Sequence, residues 1–213
     1  MTFKELDIIR KGKYGEFDND AIRVRRAISW GMAAENAKGD DEKFIFYWIA
    51  LNAAYANETY DELVSRHLFF SKISSLDNEN RIKKSLMEIP NQLRVFVDNK
   101  YLYKKYWESL DGDATKEEFE QEKTRITKII YSGLMSKEES LDVLNYLFNL
   151  IYILRIQIFH GLATYKSKVN REQLIPCVKI LEATMPIIIE LLLEHNEIDW
   201  GEVSYPYVNQ NKK

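Results

Sequence analysis

Apolar residues recur at helical spacing along nearly the whole chain, and only 8 Gly and 4 Pro stand in 213 residues to interrupt that rhythm. No run of short alternating segments suggests strands, and no period of about 20–50 residues repeats as a solenoid would require. The pattern predicts an all-α class, and capping signals divide it. Asp18 or Asp20 opens a helix through Ile22, Ala27, Trp30 and Ala34 that ends near Gly39. Asp40, whose carboxylate can accept the free amides of a first turn, caps a helix running to Tyr55. Thr59–Leu76 and Asn80–Ile89 follow, the latter stopped by Pro90. Thr115 with Glu118, and Ser136 with Glu139, spell capping boxes, and the second starts a helix from Lys137 to Phe159 that Gly161 terminates. Asn170 with Gln173 starts a last long helix through Glu194, with a kink expected at Pro186, where an amide donor is missing. Residues 199–213 read as an irregular tail.

A chain of this length buries roughly 70% of its unfolded surface, and 46% hydrophobic residues supply the core of one domain spanning 1–213. The formal net charge of -3 excludes a polybasic coat or an acidic tail. Cys177 is the only cysteine, so neither a disulfide framework nor a cysteine-based zinc site is available, as in a reducing cytosol. Met1 to Glu5 leads into no apolar stretch of signal-peptide length, and a cytoplasmic location is expected. The apolar stretches Phe44–Ala56 and Val143–Phe159 carry Asn52 in the first and Asn145, Asn149, Arg155 and Gln157 in the second. They read as buried bundle helices rather than membrane spans.

Several chemistries fall away on spacing. The phosphate loop G-x-x-x-x-G-K-[ST], the nucleophile elbow G-x-S-x-G and the zinc motif H-E-x-x-H are all absent. None of His67, His160 and His195 has a glutamate three residues before it, as a di-iron bundle needs. Glu194, His195 and Glu197 read as a solvated helix end, and no metal or other cofactor is expected.

One segment concentrates chemistry: Leu154-Arg155-Ile156-Gln157-Ile158-Phe159-His160-Gly161. An arginine in an apolar helix is costly without a partner and so calls for an anion, a dipole or a wet crevice. A five-residue step turns about 500° on a helix, so Arg155 and His160 converge only if the helix ends at His160, as Gly161 suggests. Val143 to Arg171 holds no Asp or Glu but contains Arg155, Lys166, Lys168 and Arg171, a local positive field suited to phosphate. Two readings of the pair stay open: an anion site, or a structural arginine beside a histidine that complements a helix C-terminus. Upstream, Trp48, Asn52 and Tyr55 share one helix face; the aromatic pair reads as core, and Asn52 as a supporting amide that needs a neighbouring arginine or backbone partner.

At these two blocks the chain resembles the HEPN superfamily, all-α nucleotide-binding and RNA-cleaving domains whose signature is an Arg and a His separated by four to six residues. Arg155 and His160 fit with four, and Trp48 to Tyr55 is similar to an upstream helix of larger stand-alone members. Similarity continues through Lys168-Val169-Asn170-Arg171 and Asp199-Trp200-Gly201-Glu202, with none in about 59–134. The resemblance implies a helical bundle of HEPN type with additional helices. It also implies a metal-independent endoribonuclease, usually a homodimer whose two Arg and His pairs line one cleft, serving phage defence or stress, and an antitoxin or other regulatory partner. It makes Arg155 and His160 catalytic, with Lys166, Lys168 and Arg171 as RNA contacts. Members often carry Asn or Asp directly after the arginine. Here that residue is Ile156, so Gln157 or Asn52 would have to take its supporting role. Members silenced by nucleotide transfer carry Tyr two residues after the His; this chain has Leu162, with Tyr165 too far along, so that particular toxin and antitoxin arrangement is not expected. The alternatives are a HEPN-type module that binds RNA, a nucleotide or a protein without cutting, and a helical scaffold whose Leu150–Phe159 stretch is an oligomer interface.

Overall fold

A computed structural model describes residues 1–14, 19–56, 61–136, 141–169, 171–203 and 205, and every regular element among them is helical. In chain order these are α1 (Phe3–Lys13), α2 (Asn19–Asn36), α3 (Asp40–Tyr55), α4 (Glu62–Leu76), α5 (Arg81–Met87), α6 (Pro90–Asp98), a 3-10 turn (Lys100–Leu102), α7 (Lys104–Asp111), α8 (Lys116–Met135), α9 (Leu141–Phe159) and α10 (Leu174–Glu194). The all-α expectation holds. No helix among the described residues is long and apolar enough to cross a membrane.

Local chemistry explains most of the boundaries. The Thr115 and Glu118 box is present in full: Glu118 N–H donates to Thr115 Oγ1 at 3.1 Å, and Thr115 N–H to Glu118 Oε2 at 2.6 Å. A second box, Thr2 with Glu5, starts α1, a helix that the apolar pattern does not announce. Two expected starts are corrected, those of α3 and α5. Gly39, not Asp40, occupies the cap of α3, with Asp40, Asp41 and Glu42 in the first turn, where their charge complements the helix dipole. Asp61 caps α4 by accepting from Val64 N–H at 2.9 Å. Asn80 precedes α5 in a left-handed conformation, and it is Asp77 that accepts from the amides of Arg81 and Ile82. Pro90 both ends one helix and fills the first position of α6, where its missing amide costs nothing. α10 begins at Leu174, the described residues 171–173 before it being non-helical, and it stays helical through Pro186. The boundaries expected at Asp18, Thr59, Lys137, Glu139 and Asn170, and the tail beyond 205, lie outside the described residues.

α10 is apolar around most of its circumference, with only a narrow stripe through Lys179, Glu182 and Glu190 left partly exposed, and it packs against α1 to α6. Cys177, Ile180, Leu181, Met185, Ile188 and Leu192 are fully buried there, and burial pushes the Cys177 thiol well up. α1, α2 and α3 cover one side; Gly31 leaves room for the Phe3 ring, which a Cβ at that position would strike at 2.1 Å. α9 packs against α4 and α8, with the Phe70 and Phe148 rings 4.3 Å apart. Residues 199–203 have no regular structure but are anchored. Buried Arg23 donates to the carbonyls of Ala54, Ala56 and Gly201 at 3.0, 2.9 and 2.8 Å, and Trp200 is buried with its N–H on the His195 carbonyl.

Candidate active site

Backbone hydrogen bonds fix the end of α9. His160 N–H reaches the Ile156 carbonyl, Gly161 N–H the Ile158 carbonyl at 3.2 Å, and Leu162 N–H the Gln157 carbonyl at 2.9 Å. With Gly161 at φ +70 this is a Schellman cap, and His160 is the residue at which the helix stops. The abrupt end removes the angular offset of a five-residue step. Arg155 Nη1 stands 3.4 Å from His160 Nε2, and the guanidinium donates to the imidazole when that nitrogen carries no proton. His160 is exposed and Arg155 half-buried. The guanidinium carbon of Arg155 lies 5.2 Å from the Phe159 ring centroid and 5.6 Å from that of Tyr152, and its buried Nε has no hydrogen-bond partner among the described residues.

Behind this pair lies a polar seam that the sequence discloses only in part. Arg66 of α4 is 2% exposed, donates to Asn149 Oδ1 at 2.9 Å, and sits 4.4 Å from the Tyr152 ring centroid. Its removal from water pulls its pKa down, against the pull of Tyr55 and Glu62. The Tyr55 hydroxyl is 2.7 Å from Asn52 Oδ1 and 3.1 Å from Glu62 Oε1. Burial, then the negative charge of Glu62, pushes its pKa upward, so it remains a neutral donor. Asn52 thus finds its partner in Tyr55, three residues on, rather than in an arginine. Trp48 is fully buried and packs on Tyr152 with centroids 6.0 Å apart, which makes it core and not a stacking platform. Asn149 and Tyr152, three residues apart on α9, are the sequence signal for this seam; Arg66 carries none beyond its four-residue spacing from Glu62.

The other candidates divide. Gln157 turns away, because two residues along a helix is about half a revolution from Arg155. It donates to the Tyr101 carbonyl at 2.7 Å and accepts from Gln173, tying α9 to the 3-10 turn. Ile156 and Gln157 instead line a groove of about 490 Å³ with Trp107, Ile153, Leu162 and Val169. Arg171 is buried, and its guanidinium is committed to the Asp41 carboxylate and, at 2.6 Å, to the Thr164 carbonyl. It belongs to a structural ion pair and is not a free contact for RNA. Lys166 and Lys168 are exposed on the same loop. That loop is fixed to the start of α3, where Tyr165 O–H donates to Glu42 and the Lys166 amide to Asp41. At the far end of α10, Glu194 pairs with Arg81 and His195 with Glu197; no group of three metal-binding side chains occurs among the described residues.

Comparison of the chain with protein-family models, with curated proteins and with solved structures returns no match. Chemically, the end of α9 offers a permanently charged, planar donor beside an exposed imidazole, with two lysines on the following loop and no acidic residue from Val143 to Arg171.

Proposed function

We propose that this chain is an RNA-cleaving domain of HEPN type, acting as a homodimer in a defence or stress response under a regulatory partner. The observation that carries the reading is the 3.4 Å approach of Arg155 to His160 at the capped end of α9. Attack of an RNA 2'-hydroxyl on the adjacent phosphate requires a proton acceptor, a donor to the departing 5'-oxygen and positive charge against the phosphorane. His160 serves as one proton carrier and the second copy's histidine as the other. Arg155 binds the phosphate, and Lys166 and Lys168 follow the backbone of the RNA. Phe159 and Leu162, 40% and 71% exposed, offer an apolar rim around the pair on which a second copy would seat.

The test is incubation of purified protein with mixed RNA in EDTA, beside Arg155→Ala and His160→Ala. Either substitution is expected to cut cleavage by at least ~100-fold, the usual worth of one general acid or one oxyanion donor. Products end in 2',3'-cyclic phosphate and 5'-hydroxyl. Arg155→Ala also weakens RNA binding and its salt dependence, whereas His160→Ala leaves binding nearly intact. Light scattering at micromolar concentration is expected to show a dimer. Wild-type protein that binds RNA as His160→Ala does, and cuts none, replaces the nuclease by a binding module.

A further inference from the structure

The Arg155 guanidinium has a free direction of approach only because something other than a carboxylate holds its stem. Among the described residues it meets two ring faces and His160, and its buried Nε finds no hydrogen-bond partner. Phe159, one of the two rings, is 40% exposed on the last turn of the helix and is a poor fixed reference. Tyr152 is different. It lies one turn before Arg155 on α9, it is half-buried, and it is packed on the fully buried Trp48 of α3.

The same ring meets a second guanidinium. Arg66 approaches it to 4.4 Å, and burial of that arginine to 2% exposure is a costly arrangement. Arg66 donates to Asn149 through Nη2, is drawn also toward Tyr55 and Glu62, and has Tyr152 as its ring contact. α4 thus commits a buried cation to the ring that also carries Arg155. A ring face attracts a cation through its quadrupole, and the attraction strengthens as water is removed. Two cations on one phenol ring, with a third side chain, Trp48, against it, fix the ring and hence the guanidinium resting on it.

We infer that Tyr152, held by the buried guanidinium of Arg66, is the positioning residue that aims Arg155 at His160 and at the phosphate of an RNA substrate. The RNA part rests on the reading under Proposed function; the aiming of Arg155 does not. Tyr152 touches no reacting atom. Its ring face, not its hydroxyl, does the aiming, so phenylalanine should replace it and leucine should not. Arg66 acts one step further back, on the ring.

The experiment is NMR on ¹⁵N-arginine-labelled full-length protein, reading the order and solvent exchange of the Arg155 Nε–Hε group. Wild type and Tyr152→Phe are expected to show an ordered, slowly exchanging group. Tyr152→Leu and Arg66→Met should accelerate exchange by about tenfold, the scale of one partly desolvated ring contact. Tyr152→Leu with wild-type exchange, in protein shown folded by thermal unfolding, overturns the inference, as does loss of order in Tyr152→Phe. Should Arg66→Met fail to fold because Asn149 loses its donor, the two Tyr152 variants still decide. In cleavage assays Tyr152→Leu is expected to lower kcat about tenfold with KM within about twofold, and Tyr152→Phe to restore it. Wild-type protein that cuts no RNA defeats the nuclease reading, while the NMR comparison still decides whether Tyr152 aims Arg155.

Discussion

Replacing Arg171 by Met separates a structural cation from an RNA contact. The Arg171 and Asp41 side chains are 6% and 9% exposed, so the substitution leaves a carboxylate buried at the start of α3 without its cation and the Thr164 carbonyl without its donor. Breaking a buried pair by removing one member costs about 3–5 kcal/mol. At about 2–4 °C per kcal/mol for a chain of this size, the unfolding midpoint should fall by roughly 6–20 °C. The double variant Asp41→Asn, Arg171→Met removes both charges and keeps an acceptor for the Lys166 amide, which donates to Asp41 at 3.4 Å. It should recover most of the loss, to within about 1–2 kcal/mol of wild type. Scanning calorimetry reads both numbers. RNA binding measured over a salt series, at a temperature where Arg171→Met is folded, should keep the wild-type slope. An unchanged midpoint with a slope smaller by about one phosphate contact would refute the structural role and return Arg171 to the RNA surface.

Two further outcomes are expected. Gly161→Ala meets no atom within 4 Å but is forced to φ +70, so it should cost about 1 kcal/mol in thermal unfolding through backbone conformation alone, and Gly161→Asn less. Glu194 is held below its ordinary value of 4.5 by hydrogen bonds from Arg81, against a smaller upward push from burial. A depressed carboxyl stabilises the fold above its unfolded value and loses that contribution as pH falls through the folded one. Stability curves of wild type and Glu194→Gln should therefore run a constant distance apart above about pH 4.5, converge as pH falls below it, and lie closer together in high salt.

Features that depend on neighbours in the chain are legible in the sequence. The Thr115 and Glu118 box, the run of α10, and the helix end that brings Arg155 to His160 all follow from residues within a turn or two of one another. The short helices α6 and α7 escape such a reading, although both are amphipathic, because neither is opened by a side-chain cap: Ile89 and Tyr103 stand at the cap positions and make no cap hydrogen bond. The cap of α3 slips by one residue because Gly39 and Asp40 both suit a cap and only the backbone angle distinguishes them. Arg171 and Arg66 are opaque for a different reason. Composition counts each as a positive charge, but what each does depends on Asp41, 130 residues away, or on Asn149, 83 residues away. Gln157 sits on the other side of its helix because proximity in sequence to Arg155 is not proximity around the axis.

The bond from Arg23 to the Gly201 carbonyl spans 178 residues and has a consequence in time. A ribosome adding about 5–20 residues per second makes Arg23 roughly 9–36 s before it makes that acceptor. Through the interval the guanidinium has the carboxylate of Asp20, 4.0 Å away on its own helix, and the carbonyls at the end of α3, and α3 itself awaits α10, a later-made helix that packs against it. The nascent chain therefore cannot close its interior until α10 and the segment around Gly201 have been made. The seam that runs from Asn52 to Arg155 shares that schedule, so a chain that stops short of α10 and of residues 199–203 carries Arg155 and His160 but not the packed interior behind them.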